Sequence, residues 1–145
     1  MTEATADMAR LVPELLVRDH ARSLAFYVGT LGFRRLYGRD EEEFSFLDMG
    51  GAQLMIEEIA DTRRNWVAGP LLPPFGRGMN LQIGCPDAAA LCERVLAAGL
   101  SLFLPLEERW YRRNLVEVGA RQFIVADPDG YLLRLSTDIG TRPGR

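Results

Sequence analysis

The chain has 145 residues, 48% apolar and 26% charged, the composition of one folded domain or of two small halves sharing a core, and not of a disordered chain. Its net charge of −3 weighs against a nucleic-acid partner, and no apolar run approaches the roughly 18 residues that cross a bilayer. Two cysteines, Cys85 and Cys92, make no disulfide framework or metal motif, and the polar start MTEATADMAR reads as no secretory signal, so the expected compartment is the cytoplasm.

Residues 1–9 read as a mobile leader. Leu11–Arg18 reads as a strand with Pro13 near its entry. Asp19 is a good N-cap for a helix over His20–Leu31, whose apolar face is Leu24, Tyr27, Val28 and Leu31. Gly32 stops it. Three strands follow: Phe33–Arg39, Glu43–Met49, and Ala52–Ile59 after a Gly50-Gly51 hairpin turn. The stretch 60–78 holds three prolines and three glycines and reads as a long connection, either a linker or a functional flap.

The pattern then restarts. Met79–Cys85 reads as a strand, and Asp87 caps a helix over Ala88–Ala98 with Leu91, Val95 and Ala98 on one face. Gly99 ends it. Strands follow at Leu102–Leu106, Gln122–Ala126 and Tyr131–Thr137, the last two joined by the turn Asp127-Pro128-Asp129-Gly130. The tail from Gly140 reads as frayed. The order strand, helix, three strands thus occurs twice. The expected fold is α+β: two βαβββ modules, 10–59 and 79–138, forming one curved mixed-sheet cup within a single domain, 10–139.

All 17 basic residues are arginine, which removes lysine Schiff-base chemistry. The one histidine, His20, excludes a His-rich metal site. It starts a helix, where a surface role is expected.

Two motif sets carry a resemblance. The first is Leu15-Leu16-Val17-Arg18-Asp19, then Ser23-Leu24-Ala25-Phe26-Tyr27, then Leu31-Gly32-Phe33. The second is Gly119-Ala120-Arg121-Gln122-Phe123 running into Asp127-Pro128-Asp129-Gly130-Tyr131. Over residues 10–137 the chain resembles the vicinal oxygen chelate superfamily, which holds glyoxalase I, extradiol dioxygenases and bleomycin resistance proteins. In its metal enzymes four strand positions facing the cup hold the ligands. The resemblance lays these on Val12, Glu57, Asn80 and Arg134. Valine cannot ligate and arginine repels a cation, so no metal and no cofactor are expected. The closer resemblance is to the metal-free bleomycin resistance proteins, through Asp127–Leu135, Pro13-Glu14-Leu15 and Leu54-Met55-Ile56-Glu57. It implies antibiotic binding by sequestration, an antibiotic-resistance role and a homodimer.

Strand alternation puts Glu14, Glu57, Asn80, Gln82 and Arg134 on the lining of the cup. Arg134 with Glu57 or Glu14 reads either as a buried ion pair or as an anchor for a ligand carboxylate, phosphate or carbonyl. Most aromatics, among them Phe44, Phe46, Phe75 and Phe103, read as packing residues. Trp66, Trp110 and Tyr111 lie in long connections beside arginines and are candidate walls for a planar ligand. Cys92 reads as a helix-packing residue, and Cys85 ends a strand near the cup. The expected function is a metal-free protein that sequesters a bulky, cationic or planar small molecule in a dimeric cup, with no nucleic-acid or membrane partner. The alternative is a lyase or isomerase with Glu57 as general base and Arg134 as oxyanion anchor. A third class is an interaction module with a vestigial cup.

Overall fold

The computed structural model describes residues 7–144. The chain divides into two compact units, Met1–Leu72 and Pro73–Arg145.

The first unit runs β1 (Glu14–Val17), α1 (His20–Leu24), β2 (Arg34–Arg39), β3 (Phe44–Met49) and β4 (Ala52–Glu58). Its sheet has the order β1-β4-β3-β2, with β1 parallel to β4 and the other pairs antiparallel. Asp19 caps α1 by accepting from the Arg22 backbone N–H at 3.1 Å. Beyond Leu24 the helix continues to Leu31 with the wider π winding and ends at Gly32, whose φ of 89° suits a residue without Cβ. That winding changes the expected face. Phe26, Tyr27 and Leu31 are buried, while Val28 turns outward. Phe26 and Tyr27 meet edge to face, as do Tyr27 and Phe33. Alternation sends Leu15, Val17, Leu47, Leu54 and Ile56 to one buried face. Gly50 and Gly51 both have positive φ, as a tight hairpin turn demands.

The second unit repeats the topology. It runs β5 (Asn80–Gly84), α2 (Ala88–Ala97), β6 (Leu104–Arg113), β7 (Val116–Ala126) and β8 (Leu132–Pro143), with sheet order β5-β8-β7-β6. Again the first strand is parallel to the last. Ala88, Leu91, Cys92 and Val95 of α2 are buried, as are Ile83, Phe123, Val125, Leu133 and Leu135 on one face of the sheet. Ala98 is the exposed C-cap and not part of the helix face. The fold is α+β, with two βαβββ modules, as expected.

Several boundaries differ from the sequence reading. The strand expected to end at Leu106 continues to Arg113, and β7 starts at Val116 and not at Gln122. Trp110 and Tyr111 therefore lie on a strand, not in a connection. The charged run hid this because β6 is an edge strand, where charge on both faces deters pairing with another chain. Its charges are matched across the rungs: Glu108 pairs with Arg121, and Glu107 accepts from Gln122. The tail is not frayed from Gly140 either, because Gly140–Pro143 pairs with Val116–Gly119. Phe103, expected to pack, is 65% exposed. The leader expected over residues 1–9 lies outside the described residues up to residue 6. At Asp7 and Ala9 the backbone is held by the buried Gln53 amide, at 2.8 and 2.7 Å.

Candidate functional site

The face of the second sheet turned away from α2 holds a cavity of about 610 Å³. Parity builds it. On β8, Leu133 and Leu135 go to the core, so Arg134 and Ser136 go to the cavity. The rungs then align Gln82 of β5 with Arg134, and Gly84 with Ser136 and Gln122. Val118 and Ala120 of β7, with Tyr111 of β6, give an apolar and aromatic wall. A bulge between Gly119 and Ala120 leaves Ile139 as an extra residue, so Asp138 and Thr141 both reach the cavity.

Gln122 is the polar centre of this wall. It is 3% exposed, and its Nε2 donates to Tyr111 Oη at 2.6 Å and to Glu107 Oε1 at 3.1 Å. Arg134 is half-buried, and its Nε is shielded from solvent with no hydrogen-bond partner. The nearby carboxylates serve other groups. Glu108 pairs with Arg121, and Glu117 pairs with Arg142 at 2.7 Å. Cys85 lines the cavity, and burial pushes its thiol up, away from the nucleophilic thiolate.

Of the expected site residues, Gln82, Arg134 and Tyr111 come together here. Asn80 lies on β5 two residues before Gln82 and does not line the cavity. Trp110 is on the opposite face of β6, stacked over Gly119, with the Arg142 guanidinium 4.3 Å from its ring. Glu14 and Glu57 belong to the first unit, on the sheet face opposite Leu15, Leu47 and Ile56, a face that also carries the buried Leu16, Phe44 and Phe46. There burial and the nearby Glu57 push the Glu14 carboxyl up, against the pull of Arg39. Trp66 is 74% exposed beside Arg64. The sequence reading did not single out Gln122 as a site residue. The signal was present: one amide directly before the apolar run Phe123–Val125, on the parity that faces away from the core.

The metal implied by the fold family finds no suitable donor set. Of the four positions only Glu57 offers a good ligand, whereas Val12 has no side-chain donor, Asn80 only a neutral amide, and Arg134 a permanent cation. Among the described residues no three His, Cys, Asp or Glu side chains gather in a way that would hold an ion. Among the same residues no helix is long and apolar enough to cross a membrane.

Comparisons with known proteins give the same picture of the fold. No curated protein matches the chain. A superfamily member of known structure from Vibrio splendidus 12B01 is 37% identical over 88% of this chain and 97% of its own, with a TM-score of 0.39. TioX from Micromonospora sp. ML1 is 23% identical over 90% of this chain and 99% of its own, with a TM-score of 0.67. The fosfomycin resistance protein FosX from Listeria monocytogenes is 16% identical over 91% and 94%, with a TM-score of 0.57. The model of one family, the Glyoxalase/Bleomycin resistance protein/Dioxygenase superfamily, matches residues 8–135. The chain belongs to that superfamily.

Proposed function

We propose that this chain is a metal-free small-molecule binding protein of the bleomycin-resistance type, which acts as a homodimer and sequesters a bulky, planar ligand without making or breaking a bond. The observation that carries this reading is the cavity itself. Its volume of about 610 Å³ falls in the range of ligand pockets, and it joins an apolar wall to a few convergent polar groups. Val118, Ala120 and Tyr111 would cover a planar surface, while Gln82 and Arg134 would set its orientation. A fosfomycin resistance protein among the fold neighbours is compatible with a resistance role and supports no more than the fold.

The test is calorimetric titration of the purified chain with a panel of planar drugs, followed by recovery of the ligand. Saturable binding at one ligand per chain is expected, abolished by Val118→Trp, which fills the cavity, and the ligand should be recovered unchanged. Binding by no member of the panel would overturn the reading. A recovered product would favour the second reading, a lyase or isomerase with Glu57 as base. That reading has one observation in its support: the Glu14 carboxyl, next to Glu57 on the same sheet face, is pushed up by burial and by the Glu57 charge.

A further inference from the structure

We infer that the cavity of the second unit takes its ligand by an oxyanion, a carboxylate, phosphonate or sulfonate, held on Arg134. The assignment rests on the binding-protein reading above and gives that ligand a charge. Arg134 lines the cavity from the interior strand β8, and among the described residues its side chain makes no hydrogen bond or ion pair. A guanidinium that lines a cavity without a counter-charge is a ready partner for an anion. An oxyanion meets it well, because the guanidinium presents parallel N–H groups that match two oxygens.

The surrounding groups point the same way. Tyr111 Oη already accepts from Gln122 Nε2, so its own hydrogen remains to be donated. Ser136 adds a hydroxyl, and Arg113 adds a second cation to the lining. Asp138 is the lining's one carboxylate, and its Oδ1 accepts from the Gly140 backbone N–H at 2.8 Å. Glu107 of the same hairpin is engaged by Gln122. The lining therefore offers donors and net positive charge. A cation placed there would meet two arginines. The cationic ligand expected from the sequence is thus the less suited one.

The test uses three planar probes of one shape: naphthoate, naphthylmethanol and naphthylmethylammonium. Each is titrated calorimetrically into the full chain, its Val118→Trp variant and its Arg134→Met variant. Naphthoate should bind at one per chain, about tenfold or more tighter than the alcohol. Arg134→Met should erase that preference, and Tyr111→Phe should reduce it. If Arg134→Met fails to fold, Arg134→Lys keeps the charge and loses the fork, and naphthoate affinity should still fall. Alcohol or ammonium binding as tightly as naphthoate, and lost in Val118→Trp, would overturn the oxyanion while leaving a ligand-binding cavity. Naphthoate binding that survives Val118→Trp would overturn it too, since the anion would then sit elsewhere. Failure of all three probes would also overturn it, and only failure of the drug panel as well would remove the binding reading.

Discussion

Ser45, fully buried on β3, joins the start of α1 to β2. The Arg35 Nε donates to its Oγ at 2.8 Å, and His20 Nε2 lies 2.8 Å from the same atom. Ser45 Oγ accepts from Arg35, and the imidazole tautomer sets which way its bond with His20 Nε2 runs. Burial, with Arg35 nearby, holds the His20 pKa below its ordinary value, against the opposing carboxylates Glu58, Asp40 and Asp19. The unfolded chain then takes up its proton first as pH falls. This contribution to stability is complete above about pH 6.5 and is lost as pH falls through the lower folded value. His20 is the one histidine, so its ring protons in an NMR titration report it without ambiguity. A midpoint below that of a model peptide is expected, with a Tm that falls over the same window. His20→Gln should remove the pH dependence in that window. Glu14 acts with the opposite sign and near a different pH: its raised pKa favours the folded state when protonated, a contribution lost as pH rises through the carboxylate range. The sequence showed His20 only as the first residue after a cap. Its partners Ser45, Arg35 and Glu58 are distant in the chain, so the half-buried, bonded histidine found here could not be read from spacing.

The strand-to-strand turn at Asp127–Gly130 was the most legible element, and it is also the most constrained. Asp127 Oδ1 accepts from the backbone N–H of Asp129 and Tyr131, at 2.8 and 3.0 Å. The Asp129 carbonyl accepts from Phe75 N–H at 2.8 Å, which docks the segment before β5 on the turn. Gly130 has a φ of 102°, and a Cβ there would lie 2.6 Å from Pro74 Cα. Gly130→Ala should therefore cost about 1–3 kcal/mol, measured by urea unfolding. Gly29, inside the first helix, has ordinary φ and nothing within 4 Å of an added Cβ. Gly29→Ala should stabilise by about 0.5–1 kcal/mol, and equal effects of the two changes would refute the argument. Caps and glycine stops were legible because each depends on local chemistry alone. The course of β6 was not, because its pairing is set by the distant groups Arg121, Gln122 and Glu117 across the ladder.

Across the whole chain, the repeat was visible in element order and not in residue identity, because topology needs only alternation, caps and turns. Part of the candidate cavity was legible the same way: Gln82 and Arg134 follow from residue type and parity, Tyr111 was reached as an aromatic of a connection that is in fact strand β6, and Gln122, Asp138 and Thr141 depend on the length of β7 and on the Ile139 bulge. The metal positions of the superfamily lead to a prediction for the full chain. Incubation with nickel, zinc, ferrous iron or manganese, followed by desalting, should leave well under one ion per chain, measured by atomic emission. One ion per chain would mean that the ligands are not at Val12, Glu57, Asn80 and Arg134, and would open metal chemistry for this protein.

In both units the strand that comes last in the chain is an interior one: β4 lies between β1 and β3, and β8 between β5 and β7. During synthesis each unit therefore waits with a gap in its sheet. In the second unit, β5 and the β6–β7 hairpin present unpaired edges until residues 132–143 leave the ribosome. The strand that closes this gap also carries Arg134, Ser136 and Asp138. Completion of the fold and appearance of the binding face are thus one event, and a nascent chain stalled before Leu132 holds neither.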